Sequence, residues 1–360
     1  MDFYVNDIWS VTPGGAKGGV KGGNQGSVIT CSHVHMRNAE ESLVFLGQHD
    51  GNIQVAEVRS GKLELAKRKK ATDGSRLLKG HLGAVKKLLY LPSQDDKRPE
   101  MSMLLSCSAD RTVRLWSPWV SEGKPQCIQT MVHSVAGCGG TVMDICYING
   151  TIVTCGTDST VKIWQKQKGR ELLLYPWYKL QDTLTCFGPD NWVTAIATHS
   201  VDVPQLYAGD SKGSLWVFRP SHTAGHACEV DNTQPSAPLP IMEKWKKFER
   251  ICALGITHIL MLPSENFVIM LSNDYTATIL NILTHTPFAV LDNPNRCAYT
   301  GCDWLRSRQE LYLSDEFGTL QRWDVYKSSL ENQHLLSRKG VSGLSLVREN
   351  GDGESRKVRR

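Results

Sequence analysis

The sequence lacks the signatures that mark many enzymes, membrane proteins and secreted proteins. It contains no G-x-x-x-x-G-K, H-E-x-x-H or G-x-S-x-G motif, which argues against a phosphate-loop, zinc-protease or serine-hydrolase site. Its apolar runs are only as long as β-strands, so no membrane-spanning helix is predicted. No apolar signal segment follows Met1. We therefore predict a non-catalytic, cytoplasmic or otherwise intracellular protein with no cofactor, membrane contact or small-molecule substrate.

The cysteines lack the spacing of a metal or redox site. There are 11 of them, none forms a C-x-x-C pair, and several fall inside predicted strands. Cys31, His33 and His35 alternate along one strand and share a face, but no fourth ligand accompanies them. The pattern is typical of buried free thiols in a reducing compartment, and no metal site is predicted.

Charge is modest and clustered. The net charge is +5, and 41% of residues are apolar while 21% are charged, which fits a folded chain with a core. The positive charges form four clusters, namely Lys67–Lys70, Lys86–Lys87, Lys244–Lys247 and a tail with Arg356, Lys357, Arg359 and Arg360. Short clusters of this kind usually lie in solvated loops, but they can also bind RNA, an acidic protein tail or an anionic surface.

One short pattern recurs along the chain. It consists of a hydrophobic run, a small polar residue, an aspartate at a turn and an alternating strand that usually ends in an aromatic, as in LLSCSADRTVRLW and IVTCGTDSTVKIW. Each copy is a β-hairpin too small to bury its own apolar face, so the copies must stack on one another. The turn aspartates of the copies are Asp50, Asp110, Asp158, Asp210, Asp274 and Asp315.

The repeat spacing predicts a β-propeller. The shorter separations between successive turn aspartates lie near the roughly 40–45 residues of a four-stranded blade. The longer separations need loop insertions, which we place at Ser93–Glu100, Lys166–Lys179 and Arg219–Met242. The insertions would lie on the end of the propeller opposite the aspartate turns and carry Trp119, Trp177 and Tyr178. These aromatics would either pack onto the side of the propeller or bind a partner.

We predict three regions along the chain. Residues 1–27 form an N-terminal strand followed by a flexible segment rich in Gly and Lys, residues 28–347 form the propeller, and residues 348–360 form a charged tail. Val341–Val347 reads as the first strand of a seventh blade. That blade is either irregular, completed by the strand Phe3–Val11, or the point where a longer polypeptide continues.

At the turn aspartate and the strand-end tryptophan the chain resembles the WD40-repeat family. The second repeat has Gly80 and His81 ahead of it, and Trp323–Asp324 forms the literal WD dipeptide. The resemblance implies an all-β, WD40-type propeller in which a His, a Ser or Thr, an Asp and a Trp form a hydrogen-bonded tetrad within a blade. Two full tetrads are expected, namely His81, Ser106, Asp110 and Trp116, then His133, Thr154, Asp158 and Trp164.

The tetrads are predicted to be structural. A Ser–His–Asp set that recurs from blade to blade differs from a catalytic triad, which occurs once. The pattern departs from the family elsewhere, because Leu280 and Ala56 replace the aromatic in the fifth and first copies. In the fourth and sixth copies the aromatic comes eight residues after the aspartate instead of six, as with Asp210 and Phe218, which puts tetrads there in doubt.

The resemblance implies a scaffold that holds other proteins in a multi-subunit assembly. One form of this expectation is the propeller of a large cytoskeletal or ciliary WD-repeat protein. The alternative is an RNA- or RNP-associated component that uses the Lys/Arg clusters, and an enzyme is the third reading. The residues expected to contact a partner are Arg111, Lys212, Tyr275 and Phe317 near the aspartate turns, together with Trp119, Trp177 and Tyr178.

Overall fold

The structure is a computed structural model of the chain. It describes residues 28–36, 41–59, 62–65, 76–93, 101–118, 126–134, 140–167, 175–199, 203–221, 241–336 and 344. The described residues form 25 strands and one 3-10 turn, Pro263–Glu265. No helix of this part of the chain is long and apolar enough to cross a membrane.

The strands form six antiparallel sheets, numbered here as blades in chain order. Blade 1 holds β1 Ile29–Met36, β2 Glu41–Gln48, β3 Ile53–Arg59, β4 Lys62–Leu65 and β5 Arg76–Leu78. Blade 2 holds β6 Val85–Leu91, β7 Met103–Ser108, β8 Thr112–Trp116 and β9 Cys127–Val132. Blade 3 holds β10 Val142–Ile148, β11 Thr151–Gly156, β12 Val161–Lys166 and β13 Tyr178–Leu184.

The remaining three blades have the same four-stranded order. Blade 4 holds β14 Val193–His199, β15 Gln205–Asp210, β16 Leu215–Pro220 and β17 Met242–Phe248. Blade 5 holds β18 Ile256–Leu262, β19 Phe267–Ser272, β20 Thr276–Asn281 and β21 Pro287–Asp292. Blade 6 holds β22 Tyr299–Leu305, β23 Glu310–Asp315, β24 Thr319–Asp324 and β25 Ser329–Leu335.

The arrangement is an all-β propeller, but the expectation of seven blades is wrong for the described residues, which form six. These six sheets are the ones that carry the six turn aspartates. The seventh segment predicted from the sequence is Val341–Val347. It lies outside the described residues except for Leu344, whose backbone lies beside Gly301 of β22. The N-terminal strand Phe3–Val11 also lies outside them.

Successive blades pack through their inner strands. The first strand of each blade contacts the first strand of the next along the series β1, β6, β10, β14, β18 and β22. Burial is highest in the second strands, whereas first strands such as β10 and β18 contain several half-buried residues. All residues of β11 and β19 are buried, whereas most of the outer strand β25 is exposed. The second strands therefore read as mostly apolar runs, and the outer strands read as alternating or polar sequences.

The hydrophobic core is divided into five clusters, each lying between two consecutive blades of the described chain. Between blades 3 and 4, for example, Phe187 packs edge-on to Trp216 with ring centroids 5.1 Å apart. Phe218 lies in the same cluster at 1% exposure. Because each sheet has apolar side chains on both faces, no blade is stable without its neighbours.

Two ends of the propeller can be told apart by connectivity. The turns between second and third strands carry the aspartates, and the loops that enter each first strand lie at the same end, which we call the turn face. The insertions follow the first or third strands and lie at the opposite end, the insertion face. Their bounds are narrower than predicted, because Lys166, Lys179, Arg219 and Met242 all belong to strands.

The contact between blades 4 and 5 leaves no room for a side chain at Gly209 of β15. A Cβ atom there would lie 2.7 Å from Ile256 Cγ2 of β18. We expect Gly209→Ala to lower the free energy of unfolding by about 1–3 kcal/mol, because overpacking a filled core forces its neighbours to move. Urea denaturation of the purified protein would measure this loss.

Ile256→Ala serves as the partner change in a double-mutant cycle. Because the smaller side chain makes room for the added methyl group, the double variant should lose less stability than the sum of the two single losses, by about 0.5–3 kcal/mol. Strictly additive losses would contradict the close approach of β15 and β18.

Candidate protein-interaction face

Blade 2 contains a continuous chain of hydrogen bonds at its turn end. His81 Nδ1 lies 2.8 Å from Asp110 Oδ2, and His81 Nε2 lies 2.7 Å from Ser106 Oγ. Trp116 Nε1 donates to the same Ser106 Oγ at 2.7 Å. Because an ionised carboxylate only accepts, Nδ1 carries the proton, Nε2 accepts from the serine, and the serine accepts from the indole. Every buried polar group of the set is then satisfied.

Blade 3 contains the same set with the imidazole turned over. His133 Nε2 lies 3.2 Å from Asp158 Oδ1, and His133 Nδ1 lies 2.8 Å from Thr154 Oγ1. Trp164 Nε1 donates to Thr154 Oγ1 at 2.9 Å. The two sets thus bring together all eight residues that the sequence grouped into tetrads. Both histidine side chains are fully buried.

The two aspartates are held in their ionised form. Burial raises the pKa of Asp110, but hydrogen bonds from His81, from the Leu82 backbone N–H and from Thr112 outweigh it, so the pKa lies well below its ordinary value. Burial and the bonds from His133 and Thr160 act on Asp158 in the same way and lower its pKa. An ionised aspartate, which accepts several hydrogen bonds at once, therefore suits these turns better than a neutral side chain.

The other blades replace the tetrad with different polar contacts. In blade 4 the indole of Trp216 donates directly to Asp210 Oδ2 at 2.8 Å, so the relevant aromatic is Trp216 and not Phe218. In blade 6 Trp323 Nε1 donates to Gln321 Oε1 at 3.0 Å, and Asn295 donates to Asp315 Oδ2 at 2.8 Å. The doubt about tetrads in these blades was therefore justified, although each aspartate is still buried and bonded.

The turn residues also hold the loops that enter the blades. The backbone N–H of Leu82 donates to Asp110 Oδ2 at 2.9 Å, and that of Leu254 donates to Asp274 Oδ2 at 3.4 Å. In blade 4 a serine takes the place of the aspartate as acceptor, since the Trp192 backbone N–H donates to Ser211 Oγ at 3.1 Å. A loop whose backbone groups are bonded in this way keeps one conformation on the turn face.

These loops and turns expose large apolar side chains. Isolated exposed apolar residues are ordinary, but several that share one end of a molecule indicate an interaction site. Their exposed fractions are 91% for Leu82, 51% for Trp192, 53% for Leu254, 45% for Tyr275 and 59% for Phe317. Sequence reasoning found Tyr275 and Phe317 and missed the other three. The signal was present, because Leu82 and Trp192 directly follow the polar residues His81 and Asn191 that bond to the turn aspartates.

The other candidates for partner contact are placed unevenly. Lys212 is exposed on the turn face, whereas Arg111 is half-buried because it packs against Gly140. Tyr178 begins strand β13 and is 2% exposed, so it lies in a strand instead of the predicted insertion and is buried away from a partner. Trp177, just before that strand, is 38% exposed. Trp119 lies outside the described residues.

The family comparison agrees with this geometry. The family model described as WD domain, G-beta repeat matches residues 74–117 and 126–165, which contain both hydrogen-bonded tetrads. The chain thus contains WD40 repeats at these two positions, and its described residues form a β-propeller of the WD40 type. A search of the curated proteins found no match. In this WD40 propeller the tetrads are buried inside the blades. They hold the turns and loops of the turn face in place, while other side chains form its exposed surface.

The central axis of the WD40 propeller carries charge. Lys87 of β6 forms an ion pair with Asp144 of β10 at 3.4 Å, so the Lys86–Lys87 cluster lies on an inner strand and not in a loop. Asp144 Oδ2 also accepts the Ile196 backbone N–H of β14 at 3.1 Å and thereby links three blades. Burial, together with Lys87, lowers the pKa of His258 to about 4. Within the described ranges no group of three His, Cys, Asp or Glu residues could hold a metal ion.

The depressed pKa of Asp110 predicts a pH-dependent contribution to stability. Because the folded-state pKa lies below the value of about 3.9 for an unperturbed aspartate, the carboxylate stabilises the fold above that pH and loses this effect as the pH falls. We expect Asp110→Asn to lower the free energy of unfolding by about 1–3 kcal/mol at about pH 7. The difference from the wild type should shrink between about pH 5 and pH 3, as measured by urea denaturation at each pH.

Asp50→Asn is the matched control, because Asp50 occupies the corresponding turn of blade 1. It is exposed and bonds to Asn52 of its own turn. We expect a smaller loss for this variant. Equal losses for the two variants would show that the tetrad of blade 2 adds nothing to stability.

Proposed function

We propose that this WD40 propeller is a non-catalytic scaffold that holds another protein within a multi-subunit assembly through its turn face. WD40 propellers are generally non-catalytic, and they generally mediate protein–protein interactions. The observation that carries the proposal is the set of five exposed apolar side chains on this face, of which three are aromatic. Aromatic residues supply much of the energy at protein interfaces.

The way these side chains are held supports the same conclusion. Leu82, Trp192 and Leu254 sit on backbone that is hydrogen-bonded to the aspartate turns. Tyr275 has a backbone φ of 70° and belongs to a tight turn itself. A partner that binds such a face has little loop motion to arrest, so a smaller part of the interaction energy is lost to ordering.

The insertion face is the second protein-binding candidate. It exposes Trp177, Ile241 and Leu283 at 38%, 59% and 69%. Ile241 and Trp177 end the insertions that precede β17 and β13. We assign the main contact to the turn face because its apolar residues are spread over blades 2, 4, 5 and 6 and are supported by the hydrogen bonds described above.

A specific form of the proposal places the chain in a cytoskeletal or ciliary assembly. It rests on the general resemblance to the WD40-repeat family and on no particular side chain. Fluorescence microscopy of the tagged protein in ciliated cells would test it, because enrichment at the cilium or along filaments is expected and a uniform distribution would contradict it.

The alternative function is association with RNA through the Lys/Arg clusters. Of the four clusters, Lys67–Lys70 and the C-terminal tail lie outside the described residues, and Lys87 is paired with Asp144. Lys244–Lys247 remains as a cationic stretch on β17, in which Lys244 is exposed and Lys246 and Lys247 are half-buried. RNA binding would weaken steeply as salt is raised, since phosphate contacts release counterions.

A change of three turn-face residues tests the main proposal. We expect the triple variant Trp192→Ser, Tyr275→Ser, Phe317→Ser to recover at least about tenfold less partner protein, because the loss of one interface anchor typically costs about 2 kcal/mol. The measurement is quantitative affinity purification from the native cell type, at low and high salt and with nuclease added. The free energy of unfolding should change by only about 0.5 kcal/mol for each exposed site.

The matched control is the triple variant Trp177→Ser, Ile241→Ser, Leu283→Ser on the insertion face. It should recover the partner as the wild type does. Loss of the partner only with the control variant would move the site to the insertion face. Loss on nuclease treatment would favour the RNA alternative.

A further inference from the structure

The outer rim of blade 4 presents an edge unlike that of its neighbours. Strand β17, Met242–Phe248, pairs with β16 along one side, and no other described strand pairs with its outer side. Its sequence is MEKWKKF. The cluster Lys244–Lys247 is therefore part of a β-strand edge, where a solvated loop was the ordinary expectation. The outer strands β9, β13, β21 and β25 contain one lysine among them.

The cations flank both faces of this edge. Lys244 and Lys247 lie on the side of the Trp216 ring, with Nζ atoms 5.1 and 4.6 Å from its centroid. Arg219 and Lys246 lie on the other side, where the guanidinium stacks 3.5 Å from the Trp245 centroid and Lys246 Nζ lies 4.6 Å from that of Phe248. Two rows of positive charge thus border one line of backbone.

Little negative charge balances these rows. Lys247 pairs with the exposed Glu249 at 2.9 Å, but among the described residues Arg219, Lys244 and Lys246 form no ion pair. Glu243 stands opposite Arg219 in the strand register and is exposed. Arg219 Nε is buried without a hydrogen-bond partner in the described chain. An anionic partner would satisfy charges that the described part of the propeller leaves open.

The aromatic rings favour a protein over a nucleic acid. A nucleic-acid site needs open ring faces on which bases stack. One face of Trp245 is covered by Arg219 at 3.5 Å, and the ring of His285 from blade 5 lies 4.7 Å from Trp245. Trp216 is only 3% exposed. What the edge does offer is a row of backbone N–H and C=O groups, which a further strand can pair with.

Charge restricts which strand can pair. Lysines on an edge repel other positive edges and so prevent indiscriminate association. An extended segment with acidic side chains on both of its faces would meet a cation row on each side, because successive side chains of a strand point to opposite faces. We propose that the outer edge of β17 binds an acidic, extended segment of a partner protein as an added β-strand. This rim site is separate from the turn face and does not depend on the function proposed for it.

The test uses a fluorescein-labelled peptide of about ten residues, a normal strand length. Its sequence places Asp or Glu on both faces with Val and Thr between them. Fluorescence anisotropy with the full chain should show saturable binding that weakens as salt rises. The variant Lys244→Glu, Lys246→Glu should bind at least about tenfold more weakly, since it replaces one attractive cation on each face of the edge with a repulsive carboxylate.

Lys179→Glu, Lys212→Glu is the matched control, because both lysines are exposed, one on the outer strand β13 and one on the turn face. It should bind the peptide with at most a small loss. A second peptide, identical but N-methylated on every residue, lacks the backbone donors of both of its edges and should fail to bind. Equal binding of the methylated peptide would overturn the added-strand mode.

The remaining outcomes also decide the matter. No saturable binding of the acidic peptide would overturn the proposal outright. Tighter binding of a single-stranded oligouridylate, which displaces the peptide and is itself weakened by Lys244→Glu, Lys246→Glu, would assign the edge to nucleic acid instead. None of these results changes what is expected of the triple variant of the turn face, so the two proposals fail or succeed separately.

Discussion

The structure depends on burial between neighbouring sheets. No blade has a core of its own, and the five hydrophobic clusters each join two consecutive blades. This constraint explains why the second strands β11 and β19 are wholly buried while the outer strand β25 is mostly exposed, because neighbouring blades cover the second strands on both faces. It also explains why a residue as small as Gly209 is required where β18 approaches β15.

Polar groups at the blade ends are made compatible with this packing by the turn aspartates. In blades 2 and 3 the carboxylate completes a chain that runs through His, Ser or Thr, and Trp, and in blade 4 it bonds to the indole directly. Asp110, Asp274 of blade 5 and Ser211 of blade 4 also accept backbone N–H groups from the entering loops. A stability device inside the blade therefore also shapes the face on which Leu82, Trp192 and Leu254 are exposed.

The surface carries two kinds of interaction chemistry in different places. The turn face combines apolar and aromatic side chains on bonded turns, while the rim of blade 4 combines cations with backbone groups that lack a partner strand in the described chain. A scaffold benefits from such separation, since partners of different character can bind at once without competing. The ion pair Lys87–Asp144 shows that charge placed near the axis serves cohesion between blades instead.

The repeated hairpins determined the class of fold, the six turn aspartates and the grouping of His81, Ser106, Asp110 and Trp116, because local period and spacing are written directly in the chain. Tertiary structure alone decided the six described blades, the burial of Tyr178, the choice of Trp216 over Phe218 and the position of Lys244–Lys247 on an edge strand. Each of these depends on which strand pairs with which and on which face meets a neighbouring blade. Such contacts join residues far apart in the chain, so no local pattern records them.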